Sequence, residues 1–161
     1  MNGSPHHRYA PARQSGATVL ELICAIAIIG IFAAAGMPRF ASAIAARRAD
    51  AAARRLCADI EWLRSTARIT STSQSMTFDT VGNTYALAGF TDPDFPGKAY
   101  SVALTASNYK ARFASVNLGG GSALSFNGYG IPVAGATIVV QSGKTSRTVT
   151  IDGTTGGTTW Q

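Results

Sequence analysis

The sequence predicts an α+β protein, a long N-terminal α-helix packed on an antiparallel β-sheet domain, and three observations carry that prediction. Residues 17–37 form one apolar run whose only charge is Glu21. Apolar residues then recur at helical spacing as far as residue 69. From Thr70 onward Gly, Ser and Thr become frequent, and the apolar period shortens to two. A helix followed by a series of short strands points to α+β architecture with antiparallel pairing.

The apolar run, about twenty residues long, matches the hydrocarbon thickness of a bilayer. A carboxylate at the centre of such a run costs about 2.5–3.5 kcal/mol, and less near an interface. Glu21 is therefore a residue that needs a reason. In the second half of the helix Phe40, Ile44, Ala52, Leu56, Ile60, Leu63 and Ala67 form a stripe at spacings of three and four, broken by one gap of eight. Arg47, Arg48, Arg54, Arg55, Arg64 and Arg68, with Asp50, Asp59 and Glu61, mostly take the other face. The helix thus divides into a transmembrane half, 17–37, and an amphipathic half, 38–69. As one rod its 53 residues would measure roughly 80 Å. Pro38 lacks an amide hydrogen and clashes with the preceding turn, so a kink is expected there.

The strands follow in order. Met76 and Phe78 alternate with Thr77 and Asp79, Gly82-Asn83 supplies a tight turn, and Tyr85 and Leu87 return as a hairpin. A loop with Asp92-Pro93-Asp94 and Pro96-Gly97 leads to a strand over 100–104. The next strand, 110–116, has Phe113 inward and Arg112 outward; a short one holds Leu124 and Phe126. Residues 136–141 and 146–151 flank a turn at Ser142-Gly143 as a second hairpin, and a tail ends on Trp160. About seven short strands result.

Composition narrows the chemistry. Net charge is +6, and about +4 without Arg8 and Arg13, which precede the apolar run with two histidines and no acid. Positive flanks stay cytoplasmic, which sends the C-terminal part outward, although Arg39, Arg47 and Arg48 pull the other way. His6 and His7 are the only histidines, so Ser-His and Cys-His catalysis and most zinc sites lack their base or ligand beyond residue 7. Asp92 and Asp94 are too few for the six to eight oxygens of a calcium ion. Gly119–Gly121 lacks the Lys-Ser/Thr of a phosphate loop. No catalytic residue, metal or cofactor is expected. Cys24 and Cys57, 33 residues apart on one predicted helix, are roughly 50 Å from each other and cannot bridge within a chain. They read as small buried hydrophobes, with intermolecular pairing through Cys57 the alternative.

The run Gly16-Ala17-Thr18-Val19-Leu20-Glu21-Leu22, followed by an apolar helix with Pro38 near its end, resembles the class III signal of type IV pilins and type II secretion pseudopilins, whose usual form is G-F-T-L-x-E-L. Ala17 stands where phenylalanine is usual, and Gln14-Ser15 where basic residues often are. Farther on, "ALSFNGYGIP", "ATIVV" and "RTVTIDGTTG" are similar to the globular region of GspH/FimT-type minor pseudopilins, which carry an F-x-x-x-G stretch before a final hairpin and end on a strand with a D/N-x-x-T-G-like turn.

The resemblance implies a pilin-like fold and a set of roles. Residues 1–16 would be a leader, cut between Gly16 and Ala17 by a prepilin peptidase that methylates the new amine of Ala17. The chain would be a single-pass inner-membrane protein with residues 70–161 as its β-rich periplasmic domain. Glu21 would be the assembly residue, because a carboxylate in a low-dielectric medium is relieved by a positive amine, that of a neighbouring subunit or the chain's own. Its partners would be other pseudopilins or minor pilins in a periplasmic pseudopilus of type II secretion, or in a type IV filament of FimT type. Such a chain is a structural subunit and not an enzyme. Two other readings remain beside it. An ordinary secretory signal cleaved after Ala33-Ala34-Ala35 would release a protein starting near Gly36. Nucleic acid could bind Arg47, Arg48, Arg54, Arg55, Lys110, Arg112, Lys144 and Arg147, since phosphate contact needs clustered Lys and Arg.

Overall fold

The computed structural model describes residues 18–161, without the side chains of 34–38. The expected cleavage pair, Gly16 and Ala17, lies outside the described residues. One helix, α1 (Val19–Thr70), precedes eight strands: β1 (Gln74–Asp79), β2 (Thr84–Thr91), β3 (Ala99–Ala103), β4 (Arg112–Asn117), β5 (Ala123–Phe126), β6 (Ala136–Ser142), β7 (Thr145–Ile151) and β8 (Thr158–Trp160). The chain forms two compact units that divide after Pro38, and α1 contributes to both.

In the first unit the described side chains of α1 are exposed along the helix, among them Leu20, Ile23, Ile28 and Phe32. Cys24 is exposed with them.

The second unit, Arg39–Gln161, holds the core. Ala49, Ala52, Ala53, Leu56, Ile60, Leu63 and Ala67 are fully buried on one face of α1, at the three- and four-residue spacing of a single helical stripe. The three alanines at its start leave room for strands to come close. The stripe begins later than the sequence predicts: Ile44 is half-buried and Phe40 is 73% exposed. The turn between β6 and β7 meets the helix at Ala45, where a Cβ placed on Gly143 would lie 3.2 Å from the alanine methyl. The helix ends where Ser71 adopts φ 50, and the Thr70 hydroxyl donates back to the Thr66 carbonyl at 2.8 Å.

The strands make two antiparallel four-stranded sheets, ordered β3-β2-β1-β5 and β4-β6-β7-β8. The first predicted hairpin is β1–β2, registered Met76↔Leu87 to Asp79↔Thr84, with Asn83 at φ 53 in its turn. The second is β6–β7, paired from Ala136↔Ile151 to Ser142↔Thr145. Alternation sets the inward faces: Phe113 is buried and Arg112 exposed, as expected. One cluster unites the helix stripe with Met76, Tyr85, Leu87 and Phe126 from the first sheet and Phe113, Ile138, Val140, Val149 and Ile151 from the second.

The tail holds a strand that the sequence reading leaves unpaired. β8 pairs with β7 through Val149↔Trp160, Thr150↔Thr159 and Ile151↔Thr158. It is three residues long, too short for alternation to show. The turn before it is built by Asp152, whose Oδ1 accepts the N–H groups of Thr154 (2.9 Å) and Thr155 (2.7 Å) and the Thr155 hydroxyl (2.9 Å). These bonds hold the Asp152 carboxyl below its ordinary range.

Candidate functional site

Glu21 lies in the first turn of α1. Thr18 precedes the helix, and its hydroxyl accepts the Glu21 N–H at 3.3 Å. The pair has the spacing of a capping box, in which the residue before the helix and the acid three positions later mark a helix start. An acid in the first turn also suits the positive end of the helix dipole. Glu21 is exposed, between Leu20 at 70% and Leu22 at 60% exposure, and none of the ion pairs among the described residues involves it. Its carboxylate is thus available to a group outside the described chain. Pro38 lies within α1, and the side chain that would force the expected kink is outside the description. No helix of the described residues is long and apolar enough to cross a membrane; the run read from sequence, 17–37, extends past the described side chains at both ends.

A polar cluster fastens the other half of α1 to the first sheet. Asp59, placed by the sequence reading on the solvated face, is buried. Its Oδ2 accepts the hydroxyls of Tyr85 (2.6 Å) and Tyr100 (2.8 Å) and the Nε–H of Arg55 (3.2 Å). Arg55 Nη2 also donates to the Tyr100 hydroxyl, so that oxygen both gives and takes a hydrogen. Burial first, then Asp59, pushes both tyrosine hydroxyls upward, Tyr100 to about 12. One carboxylate oxygen thus gathers three donors, which offsets the cost of burying the group. Asp59 stands three positions after Leu56 and four before Leu63, so helical spacing already put it beside the stripe.

A second fastening holds the loops near the helix end. Arg64 donates from Nε to the Gly130 carbonyl (3.2 Å) and from Nη2 to the Thr155 carbonyl (2.8 Å), and its Nη1 pairs with Glu61 at 3.3 Å. This gives the F-x-x-x-G stretch, Phe126 to Gly130, a physical meaning. Phe126 is fully buried. Asn127 Oδ1 accepts the N–H groups of Tyr129 and Ile131, each at 3.0 Å. Gly130 turns at φ 74, and a Cβ there would lie 2.7 Å from Arg68 Cγ. The D-x-x-T-G-like turn, Asp152 to Gly156, meets the same arginine, since a Cβ on Gly156 would lie 3.1 Å from Arg64 Nε.

The residues singled out for phosphate contact do not act as one set. Arg55 is committed to Asp59 and Tyr100, and Arg147 donates to Asp50 at 2.6 Å. Arg54 lies 5.2 Å from the centre of the Trp160 ring, a cation–π distance. Asp92 is taken up locally, accepting the Asp94 N–H at 2.9 Å, and among the described residues no three His, Cys, Asp or Glu gather as metal ligands. Cys57 is half-buried, and burial, with Glu61 second, pushes its thiol up to about 11. It stays protonated at neutral pH and is a poor nucleophile for intermolecular pairing.

No family model matches the chain, and no curated protein does. Two solved structures do, both of the type IV minor pilin FimU of Pseudomonas aeruginosa (strain PAO1). In one crystal form the TM-score is 0.54 at 18% identity, over 71% of this chain and 89% of that one. In the other it is 0.52 at 18% identity, over 70% and 91%. The chain has a type IV pilin-like fold. Most of the FimU chain is covered, while fewer than one residue in five is the same, so the pilin-like likeness lies in architecture and not in shared side chains. Within this pilin-like fold the described chain brings the two C-terminal sequence motifs together on Arg64 and leaves Glu21 unpaired.

Proposed function

We propose that the chain is a membrane-anchored minor subunit of a filament built from pilin-like proteins, and that its activity is assembly. The observation that carries this reading is the combination of a pilin-like fold with an apolar helix start that presents one unpaired acid, Glu21. Residues 1–16 are then a leader, cut by a prepilin peptidase between Gly16 and Ala17. Residues 17–37 cross the inner membrane, with 38–69 and the β-rich part, 70–161, on the periplasmic side. Cutting before Ala17 creates a positive amine one turn from Glu21. Pairing of Glu21 with that amine on a neighbouring subunit removes the cost of a bare carboxylate in lipid and fixes register, because a slip of one turn leaves both charges alone.

The filament is a type II secretion pseudopilus in the first reading, on the strength of the GspH/FimT-like C-terminal pattern. The likeness to a type IV minor pilin favours a second reading, a minor pilin of FimT type.

The test is Glu21→Val in the native host. Membrane insertion and leader removal should persist, with Ala17 as the methylated first residue by intact mass. Cross-linking to companion subunits should fall at least about tenfold, the effect of losing one partner of a desolvated charge pair. Assembly at the wild-type level would refute the role of Glu21. A first residue near Gly36 would refute the subunit reading as a whole.

A further inference from the structure

In the second unit, exposed positive charge gathers at the end where the β6–β7 turn meets the helix. Gly143 approaches Ala45 there, Lys144 is the next residue of the turn, and Arg47 is exposed two positions after Ala45. Beside the turn is an open cavity of about 360 Å³, lined by Lys110, Arg112, Gln141 and Gly143 among others. The cations come from three separate segments. Lys110 has φ 43, and its carbonyl accepts the Ser142 hydroxyl at 3.0 Å. Arg112 donates from Nε (3.3 Å) and Nη2 (3.0 Å) to Gln141 Oε1. That oxygen is neutral, so the guanidinium keeps its full charge.

The acids near this end make hydrogen bonds of their own. Asp50 holds Arg147. Asp79 Oδ1 accepts the N–H groups of Val81 and Gly82, each at 2.9 Å. None of the ion pairs among the described residues involves Arg47, Lys110, Arg112 or Lys144. The Val81 turn adjoins the patch, since Asn83 Oδ1 accepts the Phe113 N–H at 2.8 Å, and Val81 is 91% exposed.

We propose that this cationic end binds the anionic phosphates of phospholipid headgroups in the bilayer that anchors the chain. The inference rests on the membrane-anchored reading above. Ala45 follows Met37, the last residue of the proposed span, by eight positions. Eight residues reach at most about 29 Å even fully extended, so the patch is tethered close to the headgroups. Basic groups near an anionic bilayer are attracted over a Debye length. Four exposed cations on three segments suit a surface of mobile phosphates. A single-stranded nucleic acid would instead need aromatic rings interleaved with the charge, and the lining of this cavity contains none.

The test uses the full chain in vesicles carrying a dansyl-labelled lipid, with energy transfer from the protein's tryptophans as the readout. Transfer should be higher in phosphatidylcholine vesicles containing phosphatidylglycerol than in phosphatidylcholine alone. It should drop about twofold or more between about 0.05 M and about 0.5 M salt. The triple variant K110E/R112E/K144E should erase the dependence on phosphatidylglycerol, and K110Q/K144Q should halve it. Equal transfer in both vesicle types, with salt without effect, overturns the proposal. Retention of duplex DNA by the wild type but not the triple variant, without any dependence on phosphatidylglycerol, overturns it in favour of nucleic acid. A chain that does not float with vesicles after carbonate washing refutes the membrane reading itself, and this inference with it.

Discussion

Asp59 shows how one buried carboxylate can organise a helix–sheet contact. Its Oδ2 collects three donors from three elements, α1, β2 and β3. Removing it leaves two buried tyrosine hydroxyls without their acceptor, so Asp59→Ala should lower unfolding stability by about 3 kcal/mol or more. Tyr85→Phe, which removes one donor and leaves others, should cost about 1–2 kcal/mol. Denaturant midpoints of the chain measure both. The tyrosines also set an alkaline limit. Burial, then Asp59, raises Tyr100 from 10.0 to about 12 in the folded chain, and Tyr85 moves in the same direction. A group whose folded value exceeds its unfolded value contributes fully below the unfolded value, here about 10. That contribution disappears as pH rises toward the folded one. Stability should therefore fall between pH 10 and pH 12, and the double variant Y85F/Y100F should show a shallower decline, by unfolding curves at pH 9 and above.

At the scale of elements, the amphipathic half of α1 tests where the core begins. Leu56 is fully buried and Phe40 is 73% exposed, although both belong to one predicted stripe. Leu56→Ala should cost about 2–5 kcal/mol, whereas Phe40→Ala should stay within about 0.5 kcal/mol, by thermal or denaturant unfolding. Helical period reveals which face turns inward, but only the reach of the opposing strands decides how far along the helix that face is covered. The two hairpins were legible because Gly82-Asn83 and Ser142-Gly143 punctuate clean alternation. β8 was not, because a three-residue strand has no period to read and depends on hydrogen bonds supplied by β7. Asp59 was misplaced for a related reason. A charged residue beside a stripe reads as solvent-facing until the tyrosines that satisfy it, 26 and 41 residues later, are brought across from the sheet.

For the whole molecule, the two C-terminal motifs were recognisable as patterns, yet their common purpose, to dock on Arg64, needs three-dimensional placement. The acid at the helix start was legible as an anomaly of charge, and its capping partner Thr18 was also written in the sequence as a T-x-x-E spacing. The two sheets have no strand in common and meet in one cluster with the stripe of α1. They are two leaves bound to one spine. Neither leaf carries its own binding, so a fragment starting at Ser71 should not persist as a folded body. It should exchange its amide protons at the speed of an open chain, while a chain retaining Arg39 onward should protect the β6–β7 amides longest. Evolution of such a chain can then vary the leaves freely at their outer margins, but any change to the spine is felt on both pages at once.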